Sequence, residues 1–239
     1  VMLGNTGYDS RAEQAIVRSV LSWKPAAMVL TGLAHDRDTV RALRQSAVPV
    51  IETWEIGGQP LDLAIGFSHE AAGAAAARHL CGRGRRRLAF LGARLADDAR
   101  ARQRSQGFLA AATGAGAEAV CLDHPAPAGA QVGTILLDRL LREGPAVDGL
   151  SCSNDLVALG VLFECQRRGL RVPGDLAVIG FGDQESSAYC NPTLTTIKPS
   201  GRVIGEEAGR QILARLAGQQ RGDSNTIDTG FSLIQRCST

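Results

Sequence analysis

The stretch GLSCSNDLVALGVLFECQRRGLRVPGDLAVIG, residues 149–180, predicts a strand, a helix and a second strand in succession. The short apolar run Gly149–Ser151 is typical of a buried strand, and Asn154 is a suitable cap for the helix that follows. Gly169 is a typical residue just beyond a last helical turn. A strand–helix–strand unit of this kind normally joins two parallel neighbours by a right-handed crossover.

The same alternation runs along the whole chain. Apolar runs predict strands at Val1–Gly4, Ala27–Thr31, Val48–Thr53, Leu63–Gly66, Leu88–Leu91, Ala119–Leu122, Gly149–Ser151, Ala177–Gly180 and Leu194–Ile197. Helical windows lie near Arg11–Ser22, Arg37–Ser46, Glu70–Leu80, Ala101–Thr113, Gln131–Arg142, Leu156–Arg168 and Arg202–Leu216. Strands that are apolar on both faces and separated by helices indicate parallel sheets. The chain has 239 residues, which suits two α/β lobes.

Composition excludes several classes of protein. The chain is 44% hydrophobic and 21% charged, and it has no apolar run near the roughly 18–20 residues of a membrane span. No signal-peptide pattern opens it, so we expect a soluble cytoplasmic protein without a membrane partner. A net charge of +2 is too small to predict nucleic-acid binding by this chain itself. Residues 1–5 read as an interior strand, and we expect the sequence to be a fragment of a longer protein.

Catalytic chemistry finds little support in the sequence. The four histidines show no metal-ligand spacing, and no G-x-S-x-G turn presents a serine. We therefore predict no catalytic residues, no metal site and no cofactor.

Candidate binding residues follow the predicted strands, because ligands of open α/β sheets lie outside the carboxyl ends of the strands. Arg100, Arg102 and Arg104 either form a solvated first helical turn or turn inward to hold a carboxylate or neighbouring hydroxyls. Asn154 either caps its helix or offers its amide to a sugar hydroxyl. Trp54 either belongs to the core or stacks on a sugar face.

Three ordered blocks resemble the LacI/GalR family of transcription repressors. Residues 153–160, SNDLVALG, are similar to the family block NDxxAxG. Residues 169–181, GLRVPGDLAVIGF, resemble GxxVPxDxxVxGF, and residues 191–197, NPTLTTI, resemble PxLTTI. Further features, among them Glu52-Thr53-Trp54 and LAIGF at residues 63–67, are similar to the gluconate-operon repressors of that family.

The resemblance implies a periplasmic-binding-protein-like fold, with two doubly wound parallel-sheet lobes joined by three crossovers. Residues 1–66 and 201–225 would form the amino-terminal lobe, and residues 67–198 and 227–239 the carboxy-terminal lobe. The DNA-binding headpiece and the first strand and helix of the amino-terminal lobe are expected to be missing from this sequence.

The resemblance also implies an effector held between the lobes. The matching positions that would contact or flank it are Arg104, Asn154, Asp183, Trp54, Phe67 and Arg100. Many members of the family have an aspartate where this chain has Gly182, and whether Asp183 replaces it stays open. Arginines at the site, with no aspartate at position 182, favour an anionic sugar acid over a neutral sugar.

The function implied is the effector-sensing and dimerising core of a repressor, which meets operator DNA through a headpiece outside this sequence. The alternative is the extracytoplasmic sugar-binding protein of a transporter, which predicts a signal peptide upstream, a monomer and few free cysteines. The six cysteines contain no C-x-x-C pair and are expected to be free thiols, which argues against that alternative. An enzyme of the doubly wound class is a second alternative, and turnover of a bound sugar acid would support it.

Overall fold

The computed structural model of the chain describes residues 1–219 and 224–239. They form two compact units, one of Val1–Ser68 with Ser200–Gly230 and one of His69–Pro199 with Phe231–Thr239. The chain passes from one unit to the other three times. These ranges differ by a few residues from the lobe boundaries expected from the sequence, which stay a prediction, and residues 220–223 of the expected amino-terminal lobe lie outside the described part.

The first unit contains a four-stranded parallel sheet in the order β1–β2–β3–β9. The strands are β1 Met28–Thr31, β2 Val50–Thr53, β3 Leu63–Gly66 and β9 Thr226–Asp228, and the helices are α1 Ser10–Ser22, α2 Arg37–Ser46 and α7 Gly201–Leu216. The side chains of Asp9 and Asp36 cap α1 and α2 by accepting backbone N–H groups of the first turn. The core between the two helices and the sheet contains Val17, Leu43 and Val50.

The second unit contains a six-stranded sheet in the order β10–β8–β7–β6–β4–β5. Its elements are α3 His69–Gly82, β4 Arg87–Ala93, α4 Ala99–Gly114, β5 Glu118–His124, α5 Ala130–Glu143, β6 Gly149–Cys152, α6 Asp155–Arg168, β7 Ala177–Phe181, a 3₁₀ helix Glu185–Ala188, β8 Thr195–Pro199 and β10 Phe231–Ile234. All neighbouring strands pair in parallel except β10, which runs antiparallel to β8 at one edge. Leucines of α5, with Leu150 and Val178 of the sheet, form a large part of its core.

The fold class expected from the sequence is therefore confirmed: the protein is α/β, with parallel sheets and two lobes. Every predicted helix is present within two residues of its expected ends. The strand predicted at Val1–Gly4 is wrong, because these residues join neither described sheet and are exposed. The short strands β9 and β10 escaped prediction, since each depends on pairing with a strand far away in the sequence.

Within the described ranges, none of the helices is long and apolar enough to cross a bilayer. The same residues include no group of three or more His, Cys, Asp or Glu side chains arranged to hold a metal ion.

Candidate functional site

The candidate site lies in the second unit, where β6 and β7 end and helices α4 and α6 begin. Parallel strands bring their carboxyl ends to one edge of a sheet, and this is where open α/β sheets bind ligands. Asp98 starts α4 by accepting the backbone N–H groups of Arg100 and Ala101 at 3.1 and 3.0 Å. The second turn of α4 then carries Arg104.

Arg104 is buried, with 7% of its surface exposed, and its guanidinium is held on several sides. Nη1 lies 2.9 Å from His69 Nδ1, and Nη2 donates to the carbonyl oxygen of Ser153 at 2.9 Å. The guanidinium carbon lies 3.9 Å from the centre of the Phe181 ring, which is a cation–π distance. A fixed, planar donor of this kind suits bidentate binding of a carboxylate or of neighbouring hydroxyls.

The two arginines of the preceding turn lie in different surroundings. Arg102 donates from Nη1 to the carbonyl oxygens of Leu95 and Ala96, at 2.6 and 2.9 Å, and so braces the loop before α4. Arg100 keeps its Nε 3.9 Å from Asp98 Oδ1. The three arginines thus lie in different surroundings, and Arg104 is buried.

Asn154 caps α6, as the sequence predicted, with its Oδ1 accepting from the backbone N–H of Val157 at 3.0 Å. The amide nitrogen of Asn154 is a donor that the cap does not use. The next residue, Asp155, is fully buried and accepts from the backbone N–H of Gln184 at 2.8 Å and from Ser187 and Thr196 hydroxyls at 2.7 Å each. Asp155 therefore fixes the turn that follows β7 to the start of α6.

That turn contains the two residues on which the expected effector chemistry depends. Gly182 has φ +130°, a conformation that side chains rarely adopt, so this backbone favours glycine there. The carboxylate of Asp183 accepts a hydrogen bond from Arg236 Nη2 at 2.6 Å and forms an ion pair with Lys198 Nζ at 2.9 Å. Burial alone would raise the pKa of Asp183, but hydrogen bonds from Lys198 and Arg236 outweigh it and hold that pKa below its usual range.

Trp54 and Phe67 belong to the first unit. Trp54 follows β2 with φ +71°, and it is 36% exposed. Its indole lies over Gly201 at the start of α7, where an added methyl group would come within 2.9 Å of Cη2. Phe67, just after β3, is fully buried. Arg104 thus contacts the residue before Asn154, and Asp183 lies on the turn that Asp155 holds to the start of α6. Arg100 lies one turn before Arg104 in α4, and the two aromatic residues belong to the other unit.

Sequence reasoning missed three neighbours of Arg104. The histidines have no metal-ligand spacing, and Ser153 and Phe181 belong to the family blocks, but none of these patterns predicts a contact with an arginine. Ser153 is 2% exposed, and its buried hydroxyl has no hydrogen-bond partner among the described residues. The available signal was positional, because each of these residues lies next to the end of a predicted strand or the start of a predicted helix.

Comparison with known proteins agrees with this architecture. Residues 77–239 match the model of the periplasmic binding protein-like domain. The chain is 38% identical to the HTH-type transcriptional regulator GntR of Pseudomonas aeruginosa, in an alignment covering 100% of this chain and 69% of that protein. It is 33% identical to the regulator GntR of Escherichia coli K12, over 97% of this chain and 69% of the relative.

Solved structures give the same result. The transcription regulator GntR from Chromobacterium violaceum superposes with a TM-score of 0.92 at 38% identity, covering 99% of this chain and 87% of that one. A LacI family transcriptional regulator from Silicibacter pomeroyi has a TM-score of 0.90 at 32% identity, with coverage of 99% and 86%.

The fold and these similarities define a periplasmic-binding-protein-like effector-binding domain. The chain belongs to the LacI/GalR family of transcription regulators. Within that family it is similar to the regulators named GntR.

Proposed function

We propose that residues 1–239 are the effector-sensing and dimerising core of a cytoplasmic transcription repressor, and that the effector is a sugar acid such as gluconate. The observation that carries this proposal is the buried, oriented guanidinium of Arg104 at the carboxyl edge of the second unit's sheet. The similarity to regulators named GntR supports the same effector class.

The effector would be bound at the carboxyl edge of the second unit's sheet. The Arg104 guanidinium would hold the carboxylate, while the Asn154 amide nitrogen and the partnerless Ser153 hydroxyl would bind sugar hydroxyls. Arg100 would add positive charge nearby, while Trp54 and the fully buried Phe67, both in the first unit, stay predictions as effector contacts. Asp183, with its carboxylate already neutralised by Lys198 and Arg236, would position this edge of the site.

The left-handed backbone at Gly182 supports an acidic effector. An aspartate at this position would add a carboxylate close to the site, and φ +130° disfavours one there. The site therefore has arginines but no aspartate at position 182. This excess of positive charge favours an anionic ligand over a neutral sugar.

Regulation would follow from differential affinity. An effector that binds one relative arrangement of the two units more tightly shifts the population toward it, and it can shift the equilibrium only by that difference. In a homodimer, this change would alter how two headpieces outside residues 1–239 meet operator DNA.

A thermal-shift and calorimetric screen of residues 1–239 tests the proposal. Gluconate at a hundredfold excess over its Kd should raise the free energy of unfolding by about 2.7 kcal/mol, while glucose at the same concentration should not. Arg104→Ala should weaken gluconate binding roughly 10- to 100-fold, because a hydrogen bond to a charged group contributes about 1.5–3 kcal/mol.

Arg102→Ala is the matched control, since it removes a guanidinium from the neighbouring turn of α4, and the described contacts of Arg102 are to loop carbonyls. It should leave gluconate affinity within a factor of about three. Stabilisation by neutral sugars alone would overturn the sugar-acid proposal. Turnover of gluconate by the purified protein would favour an enzyme instead.

A further inference from the structure

His69 presents an acceptor to the guanidinium at the centre of the candidate site. It is the first residue of α3, and it is only 3% exposed. Because an arginine can only donate, the contact of 2.9 Å between Arg104 Nη1 and His69 Nδ1 requires a lone pair on Nδ1. The imidazole proton therefore lies on Nε2, and the ring is neutral in this arrangement.

The same face of α3 also fixes the backbone of Arg104. Gly73 lies four residues after His69, so the two share one side of the helix. A methyl group at Gly73 would lie 1.9 Å from the carbonyl oxygen of Arg104, which means that the two backbones touch there. One turn of α3 thus contacts both the main chain and the guanidinium of the same residue.

Phe181 adds a third restraint. Its ring lies under the guanidinium at 3.9 Å and is 6.0 Å, centre to centre, from the His69 ring, with the two ring planes tilted by 47°. The guanidinium plane can rotate over an aromatic face, because the cation–π attraction is only weakly directional. A hydrogen bond to a fixed acceptor removes that freedom, and the acceptor here is His69 Nδ1.

We infer that His69 is a positioning residue of the effector site, whose neutral imidazole sets the orientation in which Arg104 receives the anionic group of the effector. This inference rests on the proposed function for the identity of the ligand, but it makes a separate statement about the ligand-free protein. Pre-organising a binding group lowers the entropy lost when the ligand binds.

Affinity measurements with two substitutions test the acceptor. In His69→Asn, the side-chain Oδ1 takes the approximate place of Nδ1 and can still accept from Arg104, whereas His69→Ala removes the acceptor. Gluconate should bind His69→Ala roughly tenfold more weakly than the wild type, and His69→Asn within about threefold of it. Equal loss in both variants, or no loss in either, would contradict the assignment.

A double-mutant cycle shows whether His69 acts through Arg104. In the Arg104→Ala background, His69→Ala should have no further effect on gluconate affinity. Additive losses would mean that His69 contacts the ligand or supports the fold by another route. The melting temperature of each variant without ligand shows whether a lower affinity comes from general destabilisation of the fold.

The ring tautomer gives a readout that needs no effector. The ¹⁵N chemical shifts of His69 in the ligand-free protein should show an unprotonated Nδ1 and a protonated Nε2. A proton on Nδ1 would overturn the inference even if gluconate binds. If the expected tautomer is found but gluconate does not bind the wild type, the proposed function fails and the positioning of Arg104 stands.

Discussion

His35 is buried between two glutamates that come from different elements of the first unit. Its Nδ1 lies 3.0 Å from both carboxylate oxygens of Glu13 in α1, and its Nε2 lies 3.3 Å from Glu52 Oε1 in β2. Burial alone lowers the pKa of this imidazole, but the hydrogen bond to Glu13, the contact with Glu52 and their negative charges outweigh burial. Together they raise the pKa of His35 to about 9.

This arrangement predicts a loss of stability at alkaline pH. Because the folded-state pKa of His35, about 9, exceeds the ordinary histidine pKa of 6.5, the contribution is fully present below pH 6.5 and is lost as the pH rises through 9. The free energy of unfolding should fall by on the order of 2–3 kcal/mol between pH 6 and pH 10, which urea unfolding at the two pH values measures. His35→Gln should be less stable at pH 6 and should show a flatter profile; an unchanged profile would contradict the assignment.

At the scale of single residues, the sequence identified residue types and local roles better than it identified which distant residues each side chain contacts. It predicted that Asn154 caps α6, because capping depends on residues three apart. It did not predict what neutralises Asp183, because Lys198 and Arg236 reach that carboxylate from other parts of the second unit.

Between elements, two pairs of helices approach closely through reciprocal glycines. A methyl group at Gly73 of α3 would lie 1.9 Å from the Arg104 carbonyl oxygen, and one at Gly107 of α4 would lie 2.0 Å from that of Glu70. Likewise, a methyl group at Gly133 of α5 would lie 2.0 Å from the Val157 carbonyl oxygen of α6, and one at Gly160 of α6 would lie 1.9 Å from the Ala130 carbonyl oxygen of α5. These distances leave no room for a Cβ, so each pair can pack backbone against backbone only with glycine.

Gly107→Ala should therefore push α3 and α4 apart. We expect a loss of about 1–3 kcal/mol in the free energy of unfolding, as for an overpacked core, together with weaker gluconate binding because Arg104 moves with α4. The control is Gly205→Ala in α7, where an added methyl group meets no atom within 4 Å. That substitution should be neutral or stabilise by up to about 1 kcal/mol, in line with the higher helix propensity of alanine. Urea unfolding of the two variants measures this difference in the free energy of unfolding. Equal stability of the two variants would refute the steric argument.

At the scale of the whole molecule, an apolar surface on α6 is a candidate for contact with a second copy of the chain. Leu156 and Phe163 lie seven residues apart on one side of α6, and both are partly exposed. Tyr189, beyond the 3₁₀ helix, is 81% exposed, and Gln166 of α6 donates to the carbonyl oxygen of Asn191 close by. Exposed apolar surface of this kind is typical of protein interfaces.

Replacing Phe163 and Tyr189 together by glutamate should convert a dimer of residues 1–239 into monomers, because buried charges without partners oppose association. Sedimentation equilibrium measures the change. Leu213 is an exposed apolar residue on α7 of the other unit, so Leu213→Glu is the control and should leave the mass of the dimer unchanged. A wild type that is monomeric at micromolar concentration would contradict the dimer, and dissociation by Leu213→Glu would place the contact elsewhere.

The sequence by itself determined the α/β class, the helices with the Asn154 cap of α6, and the ordered blocks at residues 153–160, 169–181 and 191–197 that indicate the family. These features depend on periodicity and on neighbours a few residues apart, so the chain records them locally. Only the tertiary structure decided which arginine of α4 is buried, that His69 accepts from it, and that Val1–Gly4 joins neither described sheet. Those outcomes depend on how closely α3 approaches α4 and on which strands pair, and both are set by contacts between residues far apart in the chain.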